Sequence, residues 1–259
     1  MLSLAAGTVL DAGPVELIEA AAAAGFEACG LRLDPAATPP ATVAAIRRAL
    51  GDTGLRLLDL EVIRMRSGEP VTTYRPLVDL AAELGAAYLL TVSEIADEGE
   101  RVDRLAELTG LATDAGVGVS LEFMAFTAIR TLADAARMVE AVPGVRVLVD
   151  ALHLARTGGT AAEVAAQATP LSLVQLCDAP REAPSGGPEA LAVEARHHRL
   201  LPGAGQLDLT SLVRAVPPEL PFSVEVQSDE LAAQLTVRQR AEAAYRAGVS
   251  VLVGRALGT

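Results

Sequence analysis

Hydrophobic positions along the chain fall into two alternating kinds of stretch. The first is short, continuous and rich in Val, Ile and Leu: LSLA, EACGLRL, LRLLDLEVIRM, AAYLLTVSE, VGVSLEFMAF, VRVLVDALH, LSLVQLCD and PFSVEVQ. The second is longer, rich in Ala and Leu, and spaced for a helix, as in ELIEAAAAAG, TPPATVAAIRRALGDTG and TAIRTLADAARMVEAV. Uninterrupted apolar runs predict strands buried on both faces, and the intervening helices would cover a parallel sheet on both sides. Asp11 and Pro14 open the first helix and Gly25 stops it, with glycine again at the end of the second. Further helices are expected from about Tyr74 to Gly85, from Arg101 to Ala115, from Gly159-Thr160, from Asp208, and around VRQRAEAAYRAG.

Eight strand–helix units predict an α/β fold, a (β/α)8 barrel spanning residues 1–259 as one domain, a size such barrels commonly need at about 250 residues. A doubly wound open sheet is the fallback. No linker or composition break marks a second domain, and the Pro/Gly-rich segment 179–195 reads as a loop covering a site.

Composition narrows the function. A formal net charge of −12 argues against a nucleic-acid partner, which would need a basic surface. No apolar run approaches the roughly 20 residues of a membrane helix, and MLSLAAGTVLDAGP lacks a basic leader, so neither a membrane partner nor a signal peptide is expected. Cys29 and Cys177 sit in apolar runs and read as reduced core residues of a cytoplasmic protein.

The chemistry concentrates at strand ends, where such a barrel carries its site. These ends present Glu61 and Arg64, then Glu94, Glu122, Asp150 with His153, Gln175 with Asp178, and Glu225. The chain has only three histidines, and the other two fall in Arg196-His197-His198-Arg199, just before Pro202-Gly203. A lone glutamate at a strand end is more often a salt-bridge or capping residue. Here Glu122, Asp150, Gln175 and Glu225 take the last polar position of four consecutive strands. Three carboxylates at one barrel mouth repel each other, and a divalent cation would resolve the conflict. An all-oxygen donor set favours Mg2+ or Mn2+ over Zn2+. Gly203-Ala-Gly205 reads as a tight turn, Gly158-Gly159-Thr160 as a helix cap, and no nucleophile elbow is present.

Glu122-Phe123, VDALH at 149–153 and RHHRLLPGAGQLDL at 196–209 give the chain a resemblance to the xylose isomerase-like TIM-barrel superfamily, across essentially its whole length. That group holds sugar isomerases and epimerases, dehydratases and a DNA-repair endonuclease. The resemblance implies that Glu122, Asp150, Gln175 and Glu225 are metal ligands, that His153 faces substrate, and that Arg199 contacts substrate oxygens. Gln175, VQLCDAP followed by RHHR, and Arg64 are most similar to bacterial 3-dehydroshikimate dehydratases. Two positions depart from the pattern: Ala204 stands where Glu is usual, and the second strand ends in Gly30-Leu-Arg32 in place of an acidic residue. Three histidines and the acidic charge set the endonuclease aside.

The expectation is an enzyme of the sugar isomerase/epimerase type. It would remove a proton next to the carbonyl of a small hydroxy-ketone, with His153, Glu122 or Glu225 as the proton-transfer group and one Mn2+ or Mg2+ ion stabilising the enolate. Glu61, Arg64, Asp178, His197, His198 and Arg199 are the substrate-binding candidates, only one of the two adjacent histidines being expected to face the site. A dehydratase of a cyclic hydroxy-ketone is the alternative, and a non-catalytic sugar-binding relative the third reading. The family likeness also implies a homodimer.

Overall fold

In the computed structural model, which describes residues 1–256 and side chains through residue 253, eight parallel strands close into a barrel. They are β1 Leu2–Leu4, β2 Ala28–Arg32, β3 Arg56–Met65, β4 Tyr88–Ser93, β5 Gly118–Glu122, β6 Val145–Asp150, β7 Leu171–Leu176 and β8 Phe222–Val224. Each pairs with its sequence neighbour, and β1 closes the ring on β8, with Ser3 opposite Ser223. The helices are α1 Pro14–Ala24, α2 Pro40–Thr53, α3 Arg75–Leu84, α4 Glu98–Asp114, α5 Leu132–Ala141, α6 Ala151–Arg156, α7 Ala161–Ala166, α8 Gly187–His197, α9 Leu209–Ala215, α10 Asp229–Gln234 and α11 Val237–Ala256. This is a single-domain (β/α)8 TIM barrel.

The continuous apolar strands have a simple cause. Residues such as Leu2, Leu4, Leu57 and Leu60 point out to the helices, and the larger core fills that shell. Ala28, Leu58, Leu90, Val92, Leu148 and Leu173 form a separate cluster inside the barrel. Each such leucine, fully buried, contributes about 1.5–3 kcal/mol. Inside the ring, apolar side chains pack the lower layers, which leaves the polar strand ends to form the mouth. No helix among the described residues is long and apolar enough to cross a membrane.

Local chemistry sets the helix limits. Pro14 stands at the start of α1, and Gly25 ends it with φ 103°, a left-handed conformation that glycine adopts without penalty. The cap of α1 is Gly13 and not Asp11, which instead pairs at 2.6 Å with the buried Arg240 of α11. α4 begins three residues before the expected Arg101 because Asp97 accepts a hydrogen bond from the backbone N–H of Glu100. The helix expected from Thr127 starts at Leu132, where Thr131 and Asp134 make a reciprocal capping box. Two expectations need larger correction. The 179–195 segment is only partly loop, since α8 occupies its second half, and His153 lies in α6, whose N-cap is Asp150. Cys29 and Cys177 are both free and buried.

Candidate active site

The carboxyl ends of the strands surround a cavity of about 290 Å3 lined by Leu10, Arg32, Glu61, Val62, Arg64, Leu90, Glu122, Met124, Phe126, His153, Ala195, Arg196, His197, Arg199, Glu225 and Gln227. Its volume suits a single small ligand. β5 delivers Glu122 as its last residue, and β6 delivers Asp150. Asp150 then caps α6, its Oδ1 accepting from the backbone N–H of His153 at 2.9 Å. That cap turns the helix so that the His153 ring enters the cavity, with Nε2 3.7 Å from Glu122 Oε1. Gln175, on β7, is the register partner of Asp150 on one side and of Ser223 on the other.

Glu225 follows β8 and is approached closely by the 3-10 turn Ala6–Val9. A Cβ on Gly7 would come within 2.5 Å of Glu225 Oε1, so glycine lets the turn pass without displacing the Glu225 and Gln227 side chains. Thr8 fixes the same turn: its hydroxyl donates to the Val224 carbonyl and accepts from the Val226 N–H.

Two guanidiniums enter this acidic ring. Arg32 of β2 donates to Glu61 of β3, its register partner, at 3.0 Å through Nε. Arg199 lies fully buried between Asp150 at 2.5 Å and Glu225 at 3.3 Å, and its Nε donates to the Ala195 carbonyl. Four carboxyl groups, Glu61, Glu122, Asp150 and Glu225, thus face two guanidiniums, so acidic groups outnumber the basic ones in this ring by two. Glu122 Oε1, His153 Nε2, Gln175 Oε1 and one oxygen of Glu61 are buried without a hydrogen-bond partner. One donor atom each from Glu122, Asp150 and His153 lie within 4.8 Å of one another, so this triad could hold a metal ion. The excess of carboxyl groups and the orphaned donor atoms both fit a divalent cation.

The electrostatics follow from burial and crowding. Burial first, then the charges of Glu225 and Asp150, push the Glu122 carboxyl well above the usual range. Burial raises Glu225 to about 7; Arg199 opposes the rise, whereas Glu61 and Asp150 add to it. Burial works against the Asp150 carboxylate too, yet Arg199 and His153 hold it below its ordinary value. Burial drives the His153 imidazole down to about 4, so it is neutral near pH 7, the form that can bind a metal through Nε2.

The structure brings most of the sequence-derived candidates together. Glu61, Arg64, Glu122, His153, His197, Arg199 and Glu225 line the cavity, whereas Asp150 and Gln175 are buried on β6 and β7 and are not among its lining residues. Two substrate-binding candidates stand elsewhere. The Asp178 carboxylate is consumed by the backbone N–H groups of Ala179, Gly203 and Leu207 and holds the following loop in shape. His198 ends α8 as its exposed C-cap and does not line the cavity, so His197 is the member of the pair that faces it, tied to Asp229 at 3.1 Å. Arg199 is also less accessible than a substrate contact requires, because its guanidinium is spent on Asp150, Glu225, Ala195 and Cys177. Arg32, Phe126, Arg196 and Gln227 are cavity residues that sequence reasoning did not select. For Arg32 the signal was present, since a basic residue ends the second strand where an acidic one is usual in the resemblance.

The family model described as xylose isomerase-like TIM barrel matches residues 18–253. The chain belongs to that family. Solved structures agree with the fold of this xylose isomerase-like barrel. A xylose isomerase-like TIM barrel/4-hydroxyphenylpyruvate dioxygenase fusion protein is 22% identical, with a TM-score of 0.85 over 99% of this chain and 43% of its own. The chain therefore spans less than half of that fusion. A probable 3-DHS dehydratase from Bacillus anthracis superposes with a TM-score of 0.77 at 14% identity, covering 96% of this chain and 98% of its own. A D-psicose 3-epimerase, solved in the presence of D-fructose, gives 0.75 at 14% identity over 98% of this chain and 99% of its own. A search among curated proteins found no significant match.

Proposed function

We propose that this xylose isomerase-like barrel is a divalent-metal-dependent enzyme of the sugar isomerase/epimerase type, removing a proton from the carbon beside the carbonyl of a small hydroxy-ketone. The observation that carries the reading is that Glu122, His153 and Glu225 line one cavity, with Asp150 close behind Glu122 and His153 and partnerless donor atoms on Glu122, His153 and Gln175. Glu122, Asp150, Gln175 and Glu225 would hold the ion, with Mn2+ or Mg2+ suited to their oxygens. When bound, such an ion supplies Lewis-acid stabilisation of the enolate oxygen.

The chain's own groups divide the remaining work. His153 presents a partnerless Nε2 to the cavity and is the group assigned to take the proton. Glu122 and Glu225 come from different strands, β5 and the end of β8, and offer an acid and a base for return of the proton at the same or the neighbouring carbon. Arg199 fixes Asp150 and Glu225, and the apolar wall of Val62, Leu90, Met124 and Phe126 limits water around the reacting carbon.

One observation favours a second assignment of His153. Its Nε2 belongs to the triad of donor atoms within 4.8 Å, a geometry in which it would be a ligand. A dehydratase also remains the competing outcome of the same first step, with a β-hydroxyl expelled from the enolate in place of reprotonation. Product analysis by NMR decides between outcomes. Protein loaded with Mn2+ is incubated in turn with a ketose, an inosose and 3-dehydroshikimate. Isomerised or epimerised ketose supports the leading reading, and an aromatic product from 3-dehydroshikimate alone replaces it with the dehydratase.

A further inference from the structure

We propose that Glu61 is a further catalytic residue, a carboxylate base that meets the substrate from the β2–β3 side of the barrel mouth. The inference rests on the reading of the cavity as a hydroxy-ketone site and deepens it by naming a proton-transfer group outside the set assigned to the ion. That set comes from β5, β6, β7 and the residue after β8. The carboxyl groups lining the cavity are Glu61, Glu122 and Glu225, and of these Glu61, on β3, is the one left free.

The Glu61 side chain is anchored through one oxygen and unused at the other. Arg32, its register partner on β2, donates to Oε2 twice, through Nε at 3.0 Å and through Nη2. Oε1 has no hydrogen-bond partner, and the residue is 0% exposed. Withdrawing a carboxylate oxygen from water without giving it a donor is costly, and a ligand hydrogen in the cavity removes that cost. Val62 and Leu90 bring apolar surface to the same side of the cavity from β3 and β4. The double bond from Arg32 fixes the direction of Oε1, as a base acting on one carbon requires. Arg32 is also a position at which the chain departs from its resemblance, a basic residue ending the strand where an acidic one is usual, so the anchored Glu61 belongs to this chain's own chemistry.

Placement suits the reaction. In the closed ring β3 stands three strands from β6, which leads into the helix carrying His153. Glu61 and His153 therefore reach the cavity from different sides, and loss and return of a proton on two sides of a planar enolate need two such groups. In the step assigned to Glu61, an Oε1 lone pair forms an O–H bond as the C–H bond beside the carbonyl breaks. The C–H electron pair passes into the enolate, and no oxidant or reductant takes part. Return of the proton to carbon leaves the carboxylate as it began.

The test uses the full chain with Mn2+ in D2O and NMR of whichever of D-fructose, scyllo-inosose and 3-dehydroshikimate the wild type exchanges. Arg32 is 40% exposed, so removing its partner does not strand a buried charge, and the variants should keep the wild-type circular dichroism. Glu61→Gln should bind Mn2+ in calorimetry as the wild type does, yet exchange about 100- to 10,000-fold more slowly. Glu61→Ala should be as slow, and added formate, a small carboxylate able to enter the vacated space, should raise its rate about tenfold or more where chloride does not. Exchange by Glu61→Gln at the wild-type rate overturns the proposal. Loss of Mn2+ from that variant also overturns it by making Glu61 a ligand, and failure of formate to speed Glu61→Ala reduces Glu61 to a positioning role. A wild type that holds Mn2+ and exchanges none of the three compounds removes the reading of the site itself, and the base with it.

Discussion

If Glu122 and Glu225 hold a divalent ion, the ion must displace the protons that burial keeps on them. Glu225 is raised to about 7, so it carries a proton over part of the neutral range, and burial raises Glu122 in the same direction. With a value near 7, Glu225 is about nine-tenths protonated at pH 6 and about one-tenth at pH 8. The sign follows directly. The proton competes with the metal, so apparent affinity falls as pH falls. Glu225 alone weakens Mn2+ binding about tenfold between pH 8 and pH 6. His153, neutral down to about pH 4, contributes nothing in this window. Titration calorimetry at pH 6 in buffers of different ionisation enthalpy counts the protons directly. About one or more should be released per ion at pH 6, declining toward pH 8. A buffer-independent binding enthalpy together with a flat affinity from pH 6 to pH 8 would refute the assignment of these carboxyls as ligands.

Three further outcomes are expected. Arg199→Met should destabilise the metal-free protein by on the order of 3–5 kcal/mol in urea denaturation, because Asp150 and Glu225 lose the buried guanidinium between them; an unchanged midpoint would show that protons alone neutralise the pair. His153→Ala should keep its metal content while turnover drops by about 100- to 10,000-fold, whereas loss of metal would make His153 a ligand and call the role of Gln175 into question. Glu194→Gln should loosen α8 over the cavity, since Glu194 holds Arg156 of the His153-bearing helix at 2.6 Å; hydrogen exchange of α8 amides no faster than in the wild type would contradict this.

The barrel and its mouth were legible in the sequence because both rest on patterns that survive in one dimension. Strands such as VRVLVD read as near-continuous apolar runs, broken by the exposed Arg146, since helices cover one face and the barrel interior the other. Glu122, Asp150, Gln175 and Glu225 stood out as polar residues closing such runs. What failed to show depends on contacts between distant segments. The pairing of Arg32 with Glu61 follows from β2–β3 register, and the insertion of Arg199 between Asp150 and Glu225 follows from the path of α8. α10 was not foreseen because none of its residues is buried, which leaves no hydrophobic periodicity to read. Proline and glycine at the start of α8 suggested loop, although Pro188 sits in its first turn, where a missing N–H costs nothing. The Asp178 carboxylate looked like a site residue by its strand-end position, and its three backbone donors, contributed from 179 to 207, are invisible until the loop is folded.

The central claim is that these side chains and a bound cation together activate the carbon beside a carbonyl. Deuterium incorporation tests it most directly. The protein is incubated in D2O with a ketose, an inosose or 3-dehydroshikimate, with Mn2+ or with chelator, and the proton beside the carbonyl is followed by NMR. The account predicts protein-dependent exchange with at least one of these compounds, present with Mn2+, abolished by the chelator and restored when the ion is returned. Protein that retains its metal yet exchanges no proton on any of the three would contradict the account and leave the cavity as a binding site without catalysis.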